Sequence, residues 1–416
     1  MTKYKSDFLN DLEKRGLIHQ ATDASALDAM FLKEKVTGYI GFDATADSLH
    51  IGSLLQIMLL RRMQQFGHKP IILMGGGTTK IGDPSFKTEM RKMLGKDDID
   101  HNINSIKTIF DNYLKFGSGE SDAVLVNNAD WLEKINYMDF LQDYGRHFSV
   151  NRMLTFDSVK LRLDREQNLS FLEFNYMILQ AYDFLELHKR HNCNLQLGGS
   201  DQWGNIINGV ELTRRVAQKE VFGLTSPLIT TADGSKMGKT AQGAVWMNAE
   251  KLSDFDFWQY WRNVHDADVG RFMRYFTDLG FDEIERLEEL KDSEINEAKK
   301  ILANEVTKLA RGDEAVNNAN KIAADLFENK TIGGLAGLPT IKVNASSDLT
   351  LVNLIVEAGL ASSKGEARRL IRGGGAKVND EKIDDEAYVL NIAAFGEEKQ
   401  IKLSAGKKHH ALVQIE

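Results

Sequence analysis

Hydrophobic positions alternate with glycine-rich turns and helical patterns over residues 35–245. A helical pattern over 54–63 lies between two short apolar runs. Strands are predicted at 36–42 (VTGYIGF), 70–74 (PIILM), 123–126 (AVLV) and 195–197 (LQL). Because strands and helices recur in alternation, we expect a parallel sheet with crossover helices. The pattern therefore predicts a Rossmann-like α/β domain over residues 1–247.

The chain changes character after residue 247. Residues 248–330 contain almost no glycine or proline and are rich in Glu, Lys, Ala and Leu, which predicts an all-α domain. Residues 331–348 contain glycine, proline and serine and have the composition of a linker. Residues 349–416 combine helical spacing, a capping box at 363–366 (SKGE) and β-like segments. We expect a small, separate α+β domain there.

Composition narrows the setting. The single cysteine, Cys193, excludes an internal disulfide and a cysteine-based zinc site, and it fits a reducing compartment. No apolar run approaches the roughly 18 residues that a membrane helix needs. The first 16 residues resemble an amphipathic helix and not a signal peptide. We therefore expect a cytoplasmic protein that does not enter a membrane.

Charge bears on nucleic-acid binding. The chain has 52 Lys and Arg against 60 Asp and Glu, a net charge of −8, which argues mildly against a general nucleic-acid binder. The charge is uneven, however, because residues 341–416 have 11 basic and 11 acidic residues. Basic residues cluster over 364–377 (KGEARRLIRGGGAK), although such a cluster is usually a solvated helix face.

The strand at 36–42 runs into a candidate nucleotide site. The sequence continues with Asp43 and Thr45, and then His50 and Gly52 stand where a helix begins. Free N–H groups at a helix N-terminus bind phosphate, and glycine lets a nucleotide approach the backbone. Taken alone, the same residues also fit a loop histidine and a capping glycine.

A second candidate lies at 233–240 (DGSKMGKT). Only three residues separate Gly234 from Gly238, whereas a P-loop requires four, so a P-loop NTPase is excluded. Two lysines, Lys236 and Lys239, would suit charge stabilisation of a leaving phosphate. A solvated basic turn fits the segment equally well.

Three polar residues share one face of a predicted helix. Tyr176, Gln180 and Asp183 are spaced i, i+4 and i+7 within an otherwise apolar segment. Inside a protein such a stripe needs a ligand or a hydrogen-bond network. An exposed polar face is the alternative.

Together these segments resemble the class I aminoacyl-tRNA synthetases, with their HIGH and KMSKS loops, and within that class the bacterial-type tyrosyl-tRNA synthetases. Five segments occur in the family's order, and the similarity spans essentially the whole chain: YIGFDATADSLHIGS, GGGTTKIGDPSFK, FLEFNYMILQAYDF, LQLGGSDQWGN and KMGKT. The sequence departs from the signatures at two places. Ser53 stands at the last His of HIGH, and 238–240 (GKT) replaces Ser-Lys-Ser.

The resemblance implies a site for L-tyrosine. By this resemblance, Tyr39 and Asp183 would hydrogen-bond the phenol of the substrate. It assigns the α-ammonium group to Asp83, Tyr176 and Gln180. The carboxylate would face Gln202.

The resemblance also implies an ATP site and a two-step reaction through tyrosyl-adenylate. By this resemblance, six residues would make the catalytic contacts to the phosphates: Thr45, His50, Lys87, Arg91, Lys236 and Lys239. The remaining ATP contacts fall to Gly41, Asp43, Gly52, Ser53, Gly199 and Asp201, with Asp43 and Asp201 on the ribose and the amino-acid backbone. Mg²⁺ would arrive with ATP, and neither a protein metal site nor a tightly bound cofactor is expected.

For tRNA(Tyr), the resemblance implies contact by the helical domain and by an S4-like RNA-binding domain at 349–416. Within that domain it favours Lys364, Arg368, Arg369 and Arg372. It also implies a homodimer, with the interface near 131–164.

Three other interpretations stay open from sequence alone. The tryptophanyl branch of the same class is disfavoured by Tyr39 and the 176–183 stripe. A small-molecule nucleotidyltransferase would lack the helical and S4-like parts. A noncatalytic RNA-binding protein on the same scaffold is disfavoured by the intact site residues.

Overall fold

The computed structural model describes residues 3–84, 94–232, 234, 237–240, 243–325, 338–344, 349–396, 399–406 and 409–415. The chain divides into two compact units. The first contains Met1–Met237 and His265–Ala298, and the second contains Gly238–Val264 and Lys299–Glu416.

The first unit is built on a six-stranded sheet of described residues, in the order β1-β6-β5-β2-β3-β4. Its strands are β1 (Gln20–Ala21), β2 (Thr37–Phe42), β3 (Lys69–Met74), β4 (Val124–Asn127), β5 (Leu195–Gly199) and β6 (Phe222–Ser226). Every neighbouring pair is parallel except β1 and β6, which are antiparallel. The predicted parallel sheet is confirmed. The two-residue edge strand β1 is too short to leave a periodic pattern.

Helices connect these strands and follow the sheet along the chain. They are α1 (Asp7–Arg15), α2 (Ala24–Lys33), α3 (Leu54–Gln65), α4 (Lys96–Asp111), α5 (Ala129–Leu132), α6 (Tyr137–Asp143), α7 (Val150–Met153), α8 (Asp157–Asp164), α9 (Phe171–His191), α10 (Trp203–Ala217), α11 (Asp254–Arg262), α12 (Val269–Phe276), α13 (Phe281–Glu288) and α14 (Ile295–Ala324). Of these, α11 belongs to the second unit, and α14 begins in the first and ends in the second.

Helix α9 is fixed at both ends. Ser170 and Glu173 form a reciprocal capping box at its start, and Glu173 also pairs with the buried Arg162 at 3.2 Å. Asn192 ends the helix with φ 50°, in the left-handed region that asparagine tolerates. These contacts set the register of the polar stripe that α9 carries.

The strand order defines a crevice. From β2 the chain adds β3 and then β4 on one side, and it returns to the other side of β2 to add β5 and β6. The reversal point therefore lies between β2 and β5. In open α/β sheets ligands bind at the carboxyl ends of the strands at such a point.

The second unit contains helices and two small sheets. Aromatic side chains of α11 form its buried face: Phe255, Phe257, Trp258 and Trp261. Strands β7 (Lys239–Thr240) and β8 (Gly243–Ala244) pair with each other. A five-stranded sheet, ordered β11-β10-β12-β13-β9, packs with two helices around an apolar core. Its elements are β9 (Thr340–Val343), α15 (Leu351–Glu357), α16 (Lys364–Arg372), β10 (Ala376–Val378), β11 (Glu381–Lys382), β12 (Gln400–Ala405) and β13 (His409–Ile415).

Two local details of this unit differ from the sequence predictions. Strand β9 lies inside the stretch predicted as a linker and pairs in parallel with β13. Ser363 does cap α16 by accepting from the Glu366 N–H at 3.3 Å. The Glu366 carboxylate, however, accepts from the Ser362 N–H at 2.8 Å. The partner of Glu366 is thus one residue earlier than a capping box requires.

Across the described ranges, no helix is both long enough and apolar enough to cross a membrane.

Candidate active site

The predicted tyrosine-site residues converge at the reversal point of the sheet. Tyr39 lies within β2, and Asp43 follows the end of that strand. Helix α9 brings Tyr176 and Asp183 to the same place, 8% and 1% exposed respectively. These two side chains are therefore buried, and an exposed polar face is excluded for them. Gln180 is partly buried on the same helix, one turn after Tyr176.

A continuous hydrogen-bond network joins the two carboxylates of this crevice. Tyr176 donates to Asp43 Oδ2 at 3.2 Å, and Thr78 donates to Asp43 Oδ1 at 2.8 Å. The Asn128 amide donates to Thr78 Oγ1 at 3.0 Å and to Asp183 Oδ2 at 2.9 Å. Asp43 and Asp183 are thus held in one arrangement by neutral donors. Networks of this kind rigidify a buried site.

Asp183 also accepts a hydrogen bond from the Trp131 indole at 2.7 Å. Burial raises the pKa of Asp183 to about 7, although the hydrogen bonds from Asn128 and Trp131 act in the opposite direction. The nearby Asp43 carboxylate adds to the increase. Asp183 is therefore a carboxylate that would gain from one more donor, since each bond to the charged form favours it.

The hydroxyl of Tyr39 has no hydrogen-bond partner among the described residues, although it is fully buried. Its ring packs edge-on against Phe184 at 5.4 Å. Burial raises the pKa of Tyr39 well above its usual value, and the charge of Asp183 acts in the same direction. The phenol therefore keeps its proton. An unsatisfied buried hydroxyl is costly, so it indicates a place for a polar ligand atom.

A second polar group completes the crevice. Gln202 Nε2 donates to Asp83 Oδ2 at 2.9 Å, and Asn205 Nδ2 donates to Gln202 Oε1 at 2.9 Å. The charge of Asp83 also acts on Tyr176. Asp83 and Gln202, predicted from segments more than a hundred residues apart, thus belong to the same site as the α9 stripe.

The turn after β2 has its own order. The Gly52 N–H donates to His50 Nδ1 at 3.0 Å, so this ring nitrogen caps the short 3₁₀ turn Ile51–Ser53 that leads into α3. With Nδ1 as acceptor, the neutral ring carries its proton on Nε2. That nitrogen can then donate a hydrogen bond to a phosphate oxygen. The capping interpretation and the ligand interpretation of His50 are compatible.

The other predicted nucleotide residues border the same edge of the sheet. Gly41 is exposed near the end of β2, and Thr45 is exposed just beyond it. Gly199 ends β5, and Asp201 lies in the 3₁₀ turn that follows it. These carboxyl-terminal ends are where the strand order places the crevice.

The predicted phosphate-binding cations are described only in part. Lys87, Arg91 and Lys236 lie outside the described residues. Lys239 is in β7 of the second unit. Their roles stay predictions.

The predicted RNA-binding residues lie on one short helix. Lys364, Arg368, Arg369 and Arg372 are all exposed on or at the start of α16. Arg372 pairs with Glu386 at 2.6 Å, so an incoming phosphate would compete with a carboxylate at that position.

Sequence reasoning missed Thr78, Asn128 and Trp131. A usable signal existed for Asn128, because it directly follows β4 at the same sheet edge as Asp43. Thr78 belongs to a quoted segment, but its hydroxyl was not singled out. Gly75 in that segment has a packing role, since a Cβ there would lie 2.2 Å from Asp43 Oδ1.

No group of three or more His, Cys, Asp or Glu side chains suited to a metal ion occurs within the part of the chain that the structure describes. The one cysteine, Cys193, is buried, and burial raises the pKa of its thiol to about 12. A thiol with that pKa is a poor nucleophile near neutral pH.

Comparison with known proteins identifies the family to which this chain belongs. A family model described as tRNA synthetases class I (W and Y) matches residues 32–328, and one described as the tyrosine–tRNA ligase SYY-like C-terminal domain matches residues 332–413. A protein named tyrosine–tRNA ligase from Zymomonas mobilis is 62% identical over 414 residues, covering 100% of both chains. The chain belongs to the tyrosine–tRNA ligase family.

Other members of the tyrosine–tRNA ligase family are also similar to this chain. The one from Novosphingobium aromaticivorans is 60% identical over 415 residues and covers 100% of both chains. A crystal structure of a C-terminally truncated mitochondrial tyrosyl-tRNA synthetase from Aspergillus nidulans matches with a TM-score of 0.70 at 29% identity. That match covers 78% of this chain and 95% of the other. The fold class inferred from the sequence is confirmed, and so is the family resemblance.

Proposed function

We propose that this protein joins L-tyrosine to tRNA(Tyr) in two steps at the crevice between β2 and β5. In the first step, a carboxylate oxygen of tyrosine attacks the α-phosphorus of ATP. The new O–P bond forms as the bond to the bridging oxygen breaks, and pyrophosphate leaves with that electron pair. In the second step, the terminal ribose hydroxyl of tRNA attacks the activated carbonyl carbon. The hydroxyl loses its proton, and AMP leaves.

One observation carries the assignment of tyrosine. The Tyr39 hydroxyl is buried without a partner among the described residues, and the neighbouring Asp183 carboxylate gains from an added donor. A phenol placed between them would donate to Asp183 and accept from Tyr39. Phenylalanine offers neither bond, so it would leave buried polar groups unpaired.

The rest of the amino acid fits the neighbouring charges. Asp83, Tyr176 and Gln180 would hold the α-ammonium group, whose positive charge complements the carboxylate of Asp83. Gln202 would turn part of its amide toward the carboxylate, since it already bonds Asp83 and Asn205.

The phosphate side would depend on donors and cations. His50 Nε2–H and the turn at Gly52 and Ser53 would meet the phosphates with Thr45. Lys236 and Lys239, with Lys87 and Arg91, would stabilise the pyrophosphate as it leaves. Gly41, Asp43, Gly199 and Asp201 would border the adenosine and the adenylate. Mg²⁺ would enter bound to ATP and supply further charge to its phosphates.

Catalysis in this scheme needs no covalent nucleophile. The side chains act by holding the two substrates in line and by stabilising the charge that develops on pyrophosphate. The buried, high-pKa thiol of Cys193 therefore has no step to perform.

For tRNA, we propose that α16 of an S4-like domain contacts the backbone through Lys364, Arg368, Arg369 and Arg372. The net charge of −8 would disfavour non-specific polyanions, while this local patch supplies attraction where it aligns with RNA. We propose domain limits of 1–247, 248–330 and 349–416, and within 331–348, predicted as a linker, β9 adds to the sheet of the last domain. We also propose that the reaction takes place in the cytoplasm.

We also propose that the protein acts as a homodimer. Many of the exposed large apolar side chains lie in one stretch of the sequence, and exposed apolar patches mark interaction surfaces. They are Tyr137, Met138, Leu141, Val150, Leu154, Leu163, Phe171 and Leu172. This stretch overlaps the predicted interface near 131–164.

Tyrosine-dependent ATP–pyrophosphate exchange, followed by aminoacylation of bulk tRNA, tests the proposal. We expect exchange with tyrosine and charging of one tRNA species. Exchange that depends on tryptophan would favour the tryptophanyl branch. A protein that binds tRNA but shows no amino-acid-dependent exchange would contradict the activity.

A further inference from the structure

Two side chains of the first unit hold the main chain that leads into the segment 233–240. Asp268 Oδ2 accepts a hydrogen bond from the Ala232 N–H at 2.9 Å. Arg271 donates to the Thr230 carbonyl at 2.6 Å and also pairs with Asp268 Oδ1. We call residues 229–232 the stem. One ion pair thus bonds both an N–H group and a carbonyl group of the stem.

The position of Asp268 shows that this contact is not ordinary helix capping. Asp268 occupies the N-cap position of α12, where an aspartate normally accepts from N–H groups of the first helical turn. Within the described residues its side chain makes no such bond. It is 2% exposed and reaches the stem instead. A carboxylate that stabilised the helix would instead accept from N–H groups of its first turn.

The chain beyond the stem returns to a second fixed point. The Met237 N–H donates to the Ile229 carbonyl at 3.3 Å, and the Gly234 N–H donates to the Thr231 carbonyl at 2.8 Å. The Met237 carbonyl lies against Gly52, because a Cβ built on Gly52 would be 3.3 Å from that oxygen. Met237, which is bonded back to the stem at Ile229, therefore lies beside the turn that begins at His50. Lys239 follows Met237 by two residues.

We propose that Asp268 and Arg271 are positioning residues for adenylate formation. They fix the stem, and the stem sets where the chain carrying Lys239 starts from the His50–Gly52 turn. The inference rests on the proposed role of Lys239 in stabilising pyrophosphate. Placement errors of about 1 Å can cost on the order of a hundredfold in rate. Neither residue needs to touch ATP to have this effect.

The test is single-turnover adenylate formation in the full-length protein, with tyrosine affinity measured separately. Arg271→Met is expected to slow adenylate formation by about ten- to a hundredfold. Tyrosine affinity should change by less than about twofold, because the tyrosine site has its own network. Asp268→Asn, which keeps the shape and an acceptor for Ala232, should show a smaller loss. Arg274→Met is the matched control, since Arg274 lies on the same helix and pairs with Glu288.

A double variant separates positioning from general damage. In a Lys239→Ala background, Arg271→Met should cost much less than it costs alone, because both changes act through the same lysine. The full loss in both backgrounds, or an equal loss in Arg274→Met, would overturn the proposal. A fall in tyrosine affinity that parallels the rate would do the same. Wild-type exchange with tyrosine is measured alongside, so that a failure of the proposed activity is seen independently.

Discussion

The two sides of the crevice are built differently. On the tyrosine side, buried side chains bond one another from Tyr176 through Asp43, Thr78 and Asn128 to Asp183. On the phosphate side, the described contacts are mainly with main-chain groups, as at Gly52 and along the stem.

This difference suggests a division of labour. A side-chain network in a low-dielectric setting fixes donors and acceptors before the ligand arrives, which favours selectivity. Main-chain N–H groups and cations placed around the phosphates would stabilise the charge that develops during the reaction, which favours catalysis. Changes on one side should therefore alter amino-acid affinity, and changes on the other side should alter the rate.

Lys239→Ala should show the largest effect, because it removes the positive charge that we propose stabilises the leaving pyrophosphate. We expect adenylate formation to slow by about a hundred- to a thousandfold, with tyrosine affinity nearly unchanged. Burst kinetics measure the rate, and Lys219→Ala, an exposed lysine after α10, is the control. An unchanged burst rate would remove Lys239 from the mechanism.

Asn128→Ala should affect the other side. It removes donors to Asp183 and Thr78 and an acceptor for the Gly77 N–H. We expect tyrosine affinity to fall about tenfold and the free energy of unfolding to fall by about 1–3 kcal/mol. Asn136→Ala, which removes the N-cap of α6, should lose about 1 kcal/mol but bind tyrosine normally. Wild-type affinity in Asn128→Ala would break the comparison.

The affinity for tyrosine should fall at acidic pH. Because the pKa of Asp183 is raised from 3.8 to about 7, the carboxylate gains a proton as pH falls through that value. If the ionised form binds the phenol, tyrosine affinity should fall up to about tenfold per pH unit below 7. The stability of the free protein follows the opposite sign. The folded state keeps a proton that the unfolded chain releases, so this group lowers stability as pH rises from about 4 to 7.

Titration calorimetry across about pH 5.5 to 8.5 measures this dependence. Asp183→Asn is the control, because it has no proton to gain in this range. Equal pH dependence in the wild type and in Asp183→Asn would assign the effect to another group.

The smallest effect should come from α16. Arg368→Ala should weaken tRNA binding a few-fold and reduce the salt dependence of log K by about 0.7–0.9 for each phosphate that is no longer bound. Adenylate formation should not change. Lys35→Ala, at an exposed pair with Glu120, is the control. An unchanged salt slope in Arg368→Ala would place the RNA-binding surface elsewhere.

The sequence predicts the parts of the fold that have strong periodicity. Strands β2, β3, β4 and β5 and the stripe on α9 follow from it, because each is a local pattern. Strands β1 and β9 do not, because β1 has only two residues and β9 lies in a stretch whose composition predicts a linker. Their strand status depends on pairing with β6 and β13.

The site divides in a similar way. The family motifs indicate Tyr39, Asp83 and Asp183, but no motif shows that Asn128 joins Thr78 to Asp183. Those hydrogen bonds span 50 and 55 residues of sequence. They depend on β4 lying next to β3 and on α9 lying beside both, which local periodicity does not specify. The stem contact of Asp268 has the same origin.

The most direct test is the ratio of kcat/KM for tyrosine over phenylalanine in pyrophosphate exchange, in the wild type and in Tyr39→Phe. The variant keeps the ring packing on Phe184 and removes only the hydroxyl that we propose bonds the phenol of the substrate. Tyr275→Phe, whose hydroxyl bonds the Gly16 carbonyl elsewhere, is the control. We predict that the ratio falls by about two- to tenfold in Tyr39→Phe alone. An equal ratio in all three proteins would contradict the claim that this crevice selects tyrosine through Tyr39.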